Sequence, residues 1–315
     1  MTYSTLISAA ELKSRAQYLN LVIIDCRHDL ANPNAGRDAY AAGHIPQARF
    51  VHLDESLSGP KTDAAGRFHG RHPLPDRQRF VEAMRAQGIS NDTQVVAYDA
   101  HGGMFAARLW WMLRWVGHSD VAVLDGGVPA WQALGEQLTA EVPPPAAHGN
   151  IQDLTSIVKT VDAHALVENL KSQTLQVVDA RAPDRFRGEN ETMDAVGGHI
   201  PGARNRFFKD NLQADGSFKG VAQLREEWLS VIGDPHAAVM QCGSGVTACH
   251  NLLALEVAGL GGARPYPGSW GGLGSGGQRP VATGAWIFFR SNAPAMGPST
   301  PPVPGKQCAS VTHMS

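Results

Sequence analysis

Cys242 makes the strongest claim to chemistry in this chain. It follows the apolar run "AAVM" and opens the stretch "CGSGVTACHNLLALEVAG", a pattern that stands a thiol at the end of a buried strand, on a glycine turn ahead of a helix. Gly243 and Gly245 let successive backbone N–H groups turn inward, and the helix adds the positive end of its dipole. Such a cradle favours the thiolate over the thiol and steadies negative charge on the outer sulfur of a persulfide. The competing account is a small buried residue in a tight turn; strand, turn and helix together favour covalent catalysis. Phosphatases with a C-x5-R loop share that outline, but here the arginine position is Ala248, so the guanidinium that would grip phosphate is missing.

The other cysteines, Cys26, Cys249 and Cys308, show neither CxxC spacing nor the density of a disulfide scaffold. Cys249 falls on the helix after the loop and reads as core.

The elements that must position Cys242 occur twice. "LVIIDCR" at 21–27 returns as "LQVVDAR" at 175–181, and "AAGHIPQAR" at 41–49 as "GGHIPGAR" at 197–204. "TQVVAYDAHGG" at 93–103 aligns with "HAAVMQCGSGV" at 236–246, and "VAVLDGGVPAW" at 121–131 with "ARPYPGSWGG" at 263–272. Matches in the same order mean a tandem duplication. In each half short strands alternate with helix-period segments, so the expected fold class is α/β, each half a mainly parallel sheet flanked by helices, with ligands at the carboxyl ends of the strands. The position equivalent to Cys242 in the first half is Asp99, so one half reads as catalytic and the other as degenerate.

Residues 1–140 and 155–288 are the expected domains. The Pro/Ala-rich, aperiodic stretch 138–154 reads as the linker, and the Pro/Ser-rich tail 291–315 is expected to be disordered. A length of 315 residues suits two domains. With 27 Lys plus Arg against 29 Asp plus Glu, nothing points to a nucleic-acid or membrane partner. The opening residues lack a basic region followed by an apolar stretch, and no run approaches a membrane span, so a cytoplasmic protein is expected. No glycine-rich stretch matches a nucleotide-binding pattern, and no cofactor is expected.

With these residues in view, the chain resembles the tandem rhodanese family over roughly residues 5–285, through the paired "GHIP" segments, "DAR…RFRGE", "YDA…WW" and "GSW". The six-residue loop "CGSGVT" resembles that of 3-mercaptopyruvate sulfurtransferases, whereas thiosulfate sulfurtransferases typically carry basic residues there. A compact dianion wants neighbouring Lys or Arg, so a neutral loop favours the monocarboxylate donor. The resemblance implies two tandem rhodanese-like domains and a persulfide on Cys242, with Gly243, Gly245, Val246 and Thr247 shaping the substrate loop. Arg185 would clamp the substrate carboxylate and keto oxygen. Where mercaptopyruvate enzymes often carry a second arginine this chain has Met193, which leaves Arg187 or Arg71 as substitutes.

The resemblance also implies a relay of Ser244, His72 and Asp54, able to pass a proton from the thiol region or to support an enolate. Its bland alternative is loop hydrogen bonding. Since His72 and Asp54 belong to the first half, the site is expected at the cleft between the halves. His44 and His199 recur once per repeat without companion ligands and read as structural, as do the strand-ending Asp25 and Asp179. Trp110, Trp111 and Trp115 read as core or domain interface, and Trp270 as packing near the pocket. The acceptor is expected to be a thiol, cyanide or a thioredoxin-like dithiol. Two rivals stand beside this reading: a thiosulfate:cyanide sulfurtransferase, and a non-catalytic sulfur carrier or binding module.

Overall fold

A computed structural model describes residues 2–15, 18, 20–274 and 279–285. Cys308 and the tail 291–315, expected to be disordered, lie outside the described residues.

Two all-parallel sheets form. The first contains β1 (Leu6–Ile7), β2 (Leu21–Asp25), β3 (Arg49–Phe50), β4 (Gln94–Tyr98) and β5 (Val121–Leu124), in the order β1-β5-β4-β2-β3. The second contains β6 (Gln176–Asp179), β7 (Arg204–Asn205), β8 (Ala238–Gln241) and β9 (Arg264–Pro265), in the order β7-β6-β8-β9. Laid on each other, β3-β2-β4-β5 corresponds to β7-β6-β8-β9, and the first half adds β1 at its edge. The central strands β4 and β8 are buried almost throughout, as expected where helices cover both faces of a parallel sheet.

Register fixes where chemistry can happen. Asp25 pairs with Tyr98 at the end of β2 and β4, and Asp179 with Gln241 at the end of β6 and β8. The next residues, Asp99 and Cys242, therefore leave their sheets at equivalent carboxyl ends, the usual ligand position in such folds. Asp25 and Asp179 act as the sequence implied: each grips the arginine two residues on, Arg27 at 2.6 Å and Arg181 at 2.7 Å, and so shapes the chain leaving the strand.

The helices that follow the two loops, Ala106–Trp115 and Thr247–Val257, pack on each other and join the halves. One buried apolar cluster runs from Val95, Leu109, Trp110 and Trp111 to Cys249, Leu253 and Met240, so the tryptophans and Cys249 are core. Burying side chains of this size contributes about 1.5–3 kcal/mol each. Arg114 reaches Glu256 at 3.3 Å across the same interface.

The stretch 138–154 has no periodic structure and lies against the first half. The Gly149 and Ile151 amides donate to the Arg85 and Ile89 carbonyls, and Arg77 Nε donates to Asp153 at 2.7 Å.

Each half also sends a small hairpin toward the other. An antiparallel bridge closes Thr62 on Phe68 in the first half and Leu212 on Phe218 in the second. The second hairpin reaches the first half, where Leu212 packs at Gly102 of the Asp99 loop and the Phe218 amide donates to Asp125, just past β5, at 2.8 Å. The chain just beyond the first hairpin carries His72 to the Cys242 loop. His44 and His199 sit at equivalent bridges, against Thr139 and Ala282, and both bond backbone carbonyls.

Candidate active site

Cys242 is buried, and its sulfur accepts the Gly245 amide at 3.1 Å. Its own amide donates to Ser269 Oγ at 3.2 Å, and that hydroxyl stands 4.0 Å from the sulfur. The carbonyls of Cys242 and Gly243 accept the amides of Trp270 and Gly271, which clamps the loop against the turn "GSWGG". Gly245 needs to be glycine: its φ is +82°, and a Cβ there would lie 2.5 Å from the Pro267 carbonyl oxygen.

The degenerate half shows what such a loop binds. Asp99 stands where Cys242 stands in the other half, and its carboxylate accepts four backbone amides, those of His101, Gly103, Phe105 and Ala106, at 2.7–3.0 Å. A strand, glycine loop and helix start here hold a built-in anion with main-chain donors alone. The loop at Cys242 shares the strand, glycine turn and helix start, and turns one backbone amide, that of Gly245, to the sulfur.

Three candidate residues from the sequence come together across the boundary between the halves. His72 Nδ1 and Ser244 Oγ are 2.9 Å apart. His72 Nε2 faces Asp54 Oδ1 at 3.4 Å, and Lys61 Nζ lies 3.8 Å from the same oxygen. With Nε2–H turned to Asp54, Nδ1 is left to accept from the Ser244 hydroxyl; the tautomer follows from this network. The hydrogen bond from His72 holds the Asp54 carboxyl down to about 2. Burial depresses His72 against the pull of Asp54, with Arg108 and Arg71 adding to the depression, so the imidazole is neutral at neutral pH.

Asp54 has a second histidine neighbour absent from the sequence reading. His28 Nε2 is 4.0 Å from Oδ2, and burial lowers His28 to about 4. His28, His52 and Asp54 bring one potential ligand atom each within 4.8 Å of one another. His52, however, uses both ring nitrogens: Nδ1 accepts the Asp54 amide and Nε2 faces the Pro33 carbonyl. A metal would have to break one of these His52 bonds, while His28 Nδ1 is buried without a hydrogen-bond partner.

Two guanidiniums close over Gly243. A Cβ on that residue would collide with Arg71 Nη2 and meet Arg185 Nη2 at 3.4 Å. Arg185 is therefore placed at the loop, but its Nε and Nη2 donate to Glu191 and Nη2 also to Asp194. Arg71 is less committed. Its Nε and Nη1 are buried without a partner, and Nη2 faces Asp194 at 3.4 Å. Arg187 points elsewhere, pairing with Glu189 near the surface. Met193 is 39% exposed, so it lines no enclosed pocket.

Arg108 was not singled out by the sequence reading. It is almost fully buried and donates to the carbonyls of Gly245, Leu57 and His72 at 3.1–3.3 Å. Burial pulls its pKa down. One planar side chain thus fixes the catalytic loop of the second half to the relay segment of the first. Its signal in the sequence is a charge in the middle of the apolar stretch "FAARLWWML". Trp270 packs as expected, with its indole donating to the Val196 carbonyl and its face under Arg181. Val246 and Thr247 begin the following helix. A cavity of about 900 Å³ opens behind the loop between Phe68, His69, Tyr266 and Pro267, and its lining includes neither Cys242 nor Ser244.

Comparison with known proteins places this arrangement. The model of the rhodanese-like domain matches the chain twice, at residues 8–134 and 162–273. A Pseudomonas aeruginosa protein named "Probable 3-mercaptopyruvate sulfurtransferase" is 42% identical over 290 residues, covering 90% of this chain and all of that protein. The thiosulfate sulfurtransferase of Cricetulus griseus is 34% identical over 280 residues, 85% of this chain and 91% of its own. Among solved structures, SseA from Escherichia coli, a 3-mercaptopyruvate sulfotransferase of rhodanese fold, superposes with a TM-score of 0.74 at 29% identity, covering 85% of this chain and 99% of that one.

Proposed function

The chain belongs to the rhodanese-like domain family as a two-domain sulfurtransferase, and from that premise we propose that it takes sulfur from 3-mercaptopyruvate and passes it on through a persulfide at Cys242. The observation that carries this reading is the chain Asp54, His72, Ser244, which reaches the cysteine loop from the other domain.

The steps follow from the groups at hand. Cys242 loses its proton through the Ser244 hydroxyl to neutral His72, whose positive charge Asp54 balances. The thiolate attacks the donor sulfur, the carbon–sulfur bond breaks, and its electron pair leaves as the enolate of pyruvate. The proton held on His72 returns by Ser244 to the enolate, giving pyruvate, and the proton of the donor thiol stays with the new persulfide or leaves to solvent. The Gly245 amide supports charge on the cysteine sulfur. Arg71 and Arg185 bind the donor carboxylate beside Gly243; Arg71 supplies the second guanidinium that Met193 does not.

Two guanidiniums at Gly243 would also receive thiosulfate, the second reading. The neutral loop from Cys242 to Thr247 favours the monocarboxylate. The acceptor is a thiol, cyanide or a thioredoxin-like dithiol, and the protein acts in the cytosol, a compartment in which unpaired thiols such as the described Cys26, Cys242 and Cys249 persist. Among the described residues, no helix is long and apolar enough to cross a membrane.

The test is to expose the protein to excess donor, remove it, and weigh the Cys242 peptide for one labile sulfur of about 32 Da, beside turnover assays with both donors. Sulfur and turnover with 3-mercaptopyruvate uphold the reading. Loading by thiosulfate alone transfers it to the second, and no loading by either defeats both.

A further inference from the structure

We propose that Asp194 is a specificity-determining residue of the Cys242 pocket: its carboxylate occupies the anion position between Arg71 and Arg185 and disfavours dianionic sulfur donors more than monoanionic ones. The inference rests on the sulfurtransferase reading above and goes beyond it by assigning the charge selectivity to one side chain.

The argument starts from a charge count along the pocket wall. Arg181 pairs with Asp179 at 2.7 Å, Arg185 with Glu191 at 2.9 Å, and Arg71 faces Asp194 at 3.4 Å. Around these three arginines the charges balance, and the other buried cation of the loop, Arg108, gives its donors to the carbonyls of Gly245, Leu57 and His72. Asp194 is the anion shared between the two arginines that overhang Gly243, since the same Oδ2 lies 3.1 Å from Arg185 Nη2. Its side chain is only 7% exposed, so little water screens it from a neighbour in the pocket. Asp194 Oδ1 is held against the loop side as well: a Cβ on Gly271 would meet it at 3.0 Å, and Gly271 is the residue whose amide bonds Gly243.

A donor anion that comes to Arg71 and Arg185 therefore meets the donors that Asp194 already uses. Two buried donors remain for it, Arg71 Nε and Nη1, and it must bind them beside a fixed negative charge. Coulomb repulsion scales with the charge of the incoming group. Whatever factor Asp194 imposes on a monoanion, a dianion at the same place suffers roughly that factor squared. Thiosulfate is a dianion and 3-mercaptopyruvate carries one carboxylate, so this side chain tilts the pocket toward the second.

Asp194→Asn keeps the shape and one acceptor oxygen while removing the charge. The variant and the wild type are compared in kcat/KM for both donors, and in protection of Cys242 from iodoacetamide by pyruvate and by sulfate, non-reactive probes of charge −1 and −2. We expect a gain of about threefold with the monoanions and about tenfold with the dianions, while Asp194→Glu retains the wild-type ratio. Asp194→Ala repeats the measurement if the amide variant fails to fold. Gains of equal size, no gain, or weaker anion binding overturn the proposal. Protection needs no turnover, so a wild type that uses neither donor defeats the proposed function while the role of Asp194 is still decided.

Discussion

His72 Nδ1 and Ser244 Oγ, 172 residues apart in the chain, meet at 2.9 Å across the boundary between the two halves. The loop that carries Cys242 is therefore completed by the half whose equivalent loop carries Asp99. In the proposed mechanism the first half supplies the base His72, its carboxylate Asp54 and Arg71, so one site is made from two copies of the repeat.

The relay predicts an order of damage. Ser244→Ala and His72→Ala should each lower kcat for 3-mercaptopyruvate by about 10- to 100-fold, and the double variant should be little worse than either, because the two act as one unit. Steady-state pyruvate release measures this; additive losses would show that the residues work separately.

His72 sets the pH dependence. Burial holds its folded-state pKa below the ordinary 6.5, so the folded protein binds fewer protons here than the unfolded chain. The stability it contributes is full above 6.5 and is lost as pH falls through the folded value. Activity that needs the neutral imidazole should follow, with an acid limb of kcat/KM below 6.5 that His72→Gln removes. An acid limb unchanged in that variant would assign the titration to another group.

Gly245 is predicted to tolerate no side chain. Gly245→Ala forces alanine to a φ of +82° and drives its Cβ against the Pro267 carbonyl, costing about 1–3 kcal/mol and moving the amide away from Cys242 Sγ. Urea unfolding reads the first effect and the rate of persulfide loading the second. A variant equal to wild type in both would remove the cradle from the mechanism.

Asp99 should be needed for stability rather than for chemistry. Asp99→Ala strands four amides around a missing carboxylate, for a loss of about 3 kcal/mol or more. At a temperature where the variant is still folded, kcat should stay near wild type. A selective loss of kcat without loss of stability would instead tie this loop to turnover.

Much of this was legible in the residues. Paired "VVDAR"-like strands and "GHIP" turns declared the duplication and the parallel sheets, because strand and turn patterns are local and recur in order. Cys242 stood out through its glycine neighbours, and the family resemblance pointed to Ser244, His72 and Asp54. Arg185 was chosen as the substrate clamp, while the structure shows its donors engaged by Glu191 and Asp194 and leaves Arg71, weighed only as a substitute, with unpartnered nitrogens. Arg108, Asp194, Ser269 and His28 were not found, although a charge inside an apolar helix was a usable signal for Arg108.

The sequence by itself determined the repeated α/β architecture, and it pointed to Cys242 as the proposed sulfur carrier and to Asp99 at the equivalent place, since hydrophobic period, glycine placement and residue type act over short stretches of chain. Only the tertiary structure decided which guanidinium has donors to offer and which carboxylates neutralise it. Those are outcomes of packing the two halves against each other through the helices Ala106–Trp115 and Thr247–Val257, where partners come from segments far apart in the chain and burial, rather than sequence position, fixes which charges must pair.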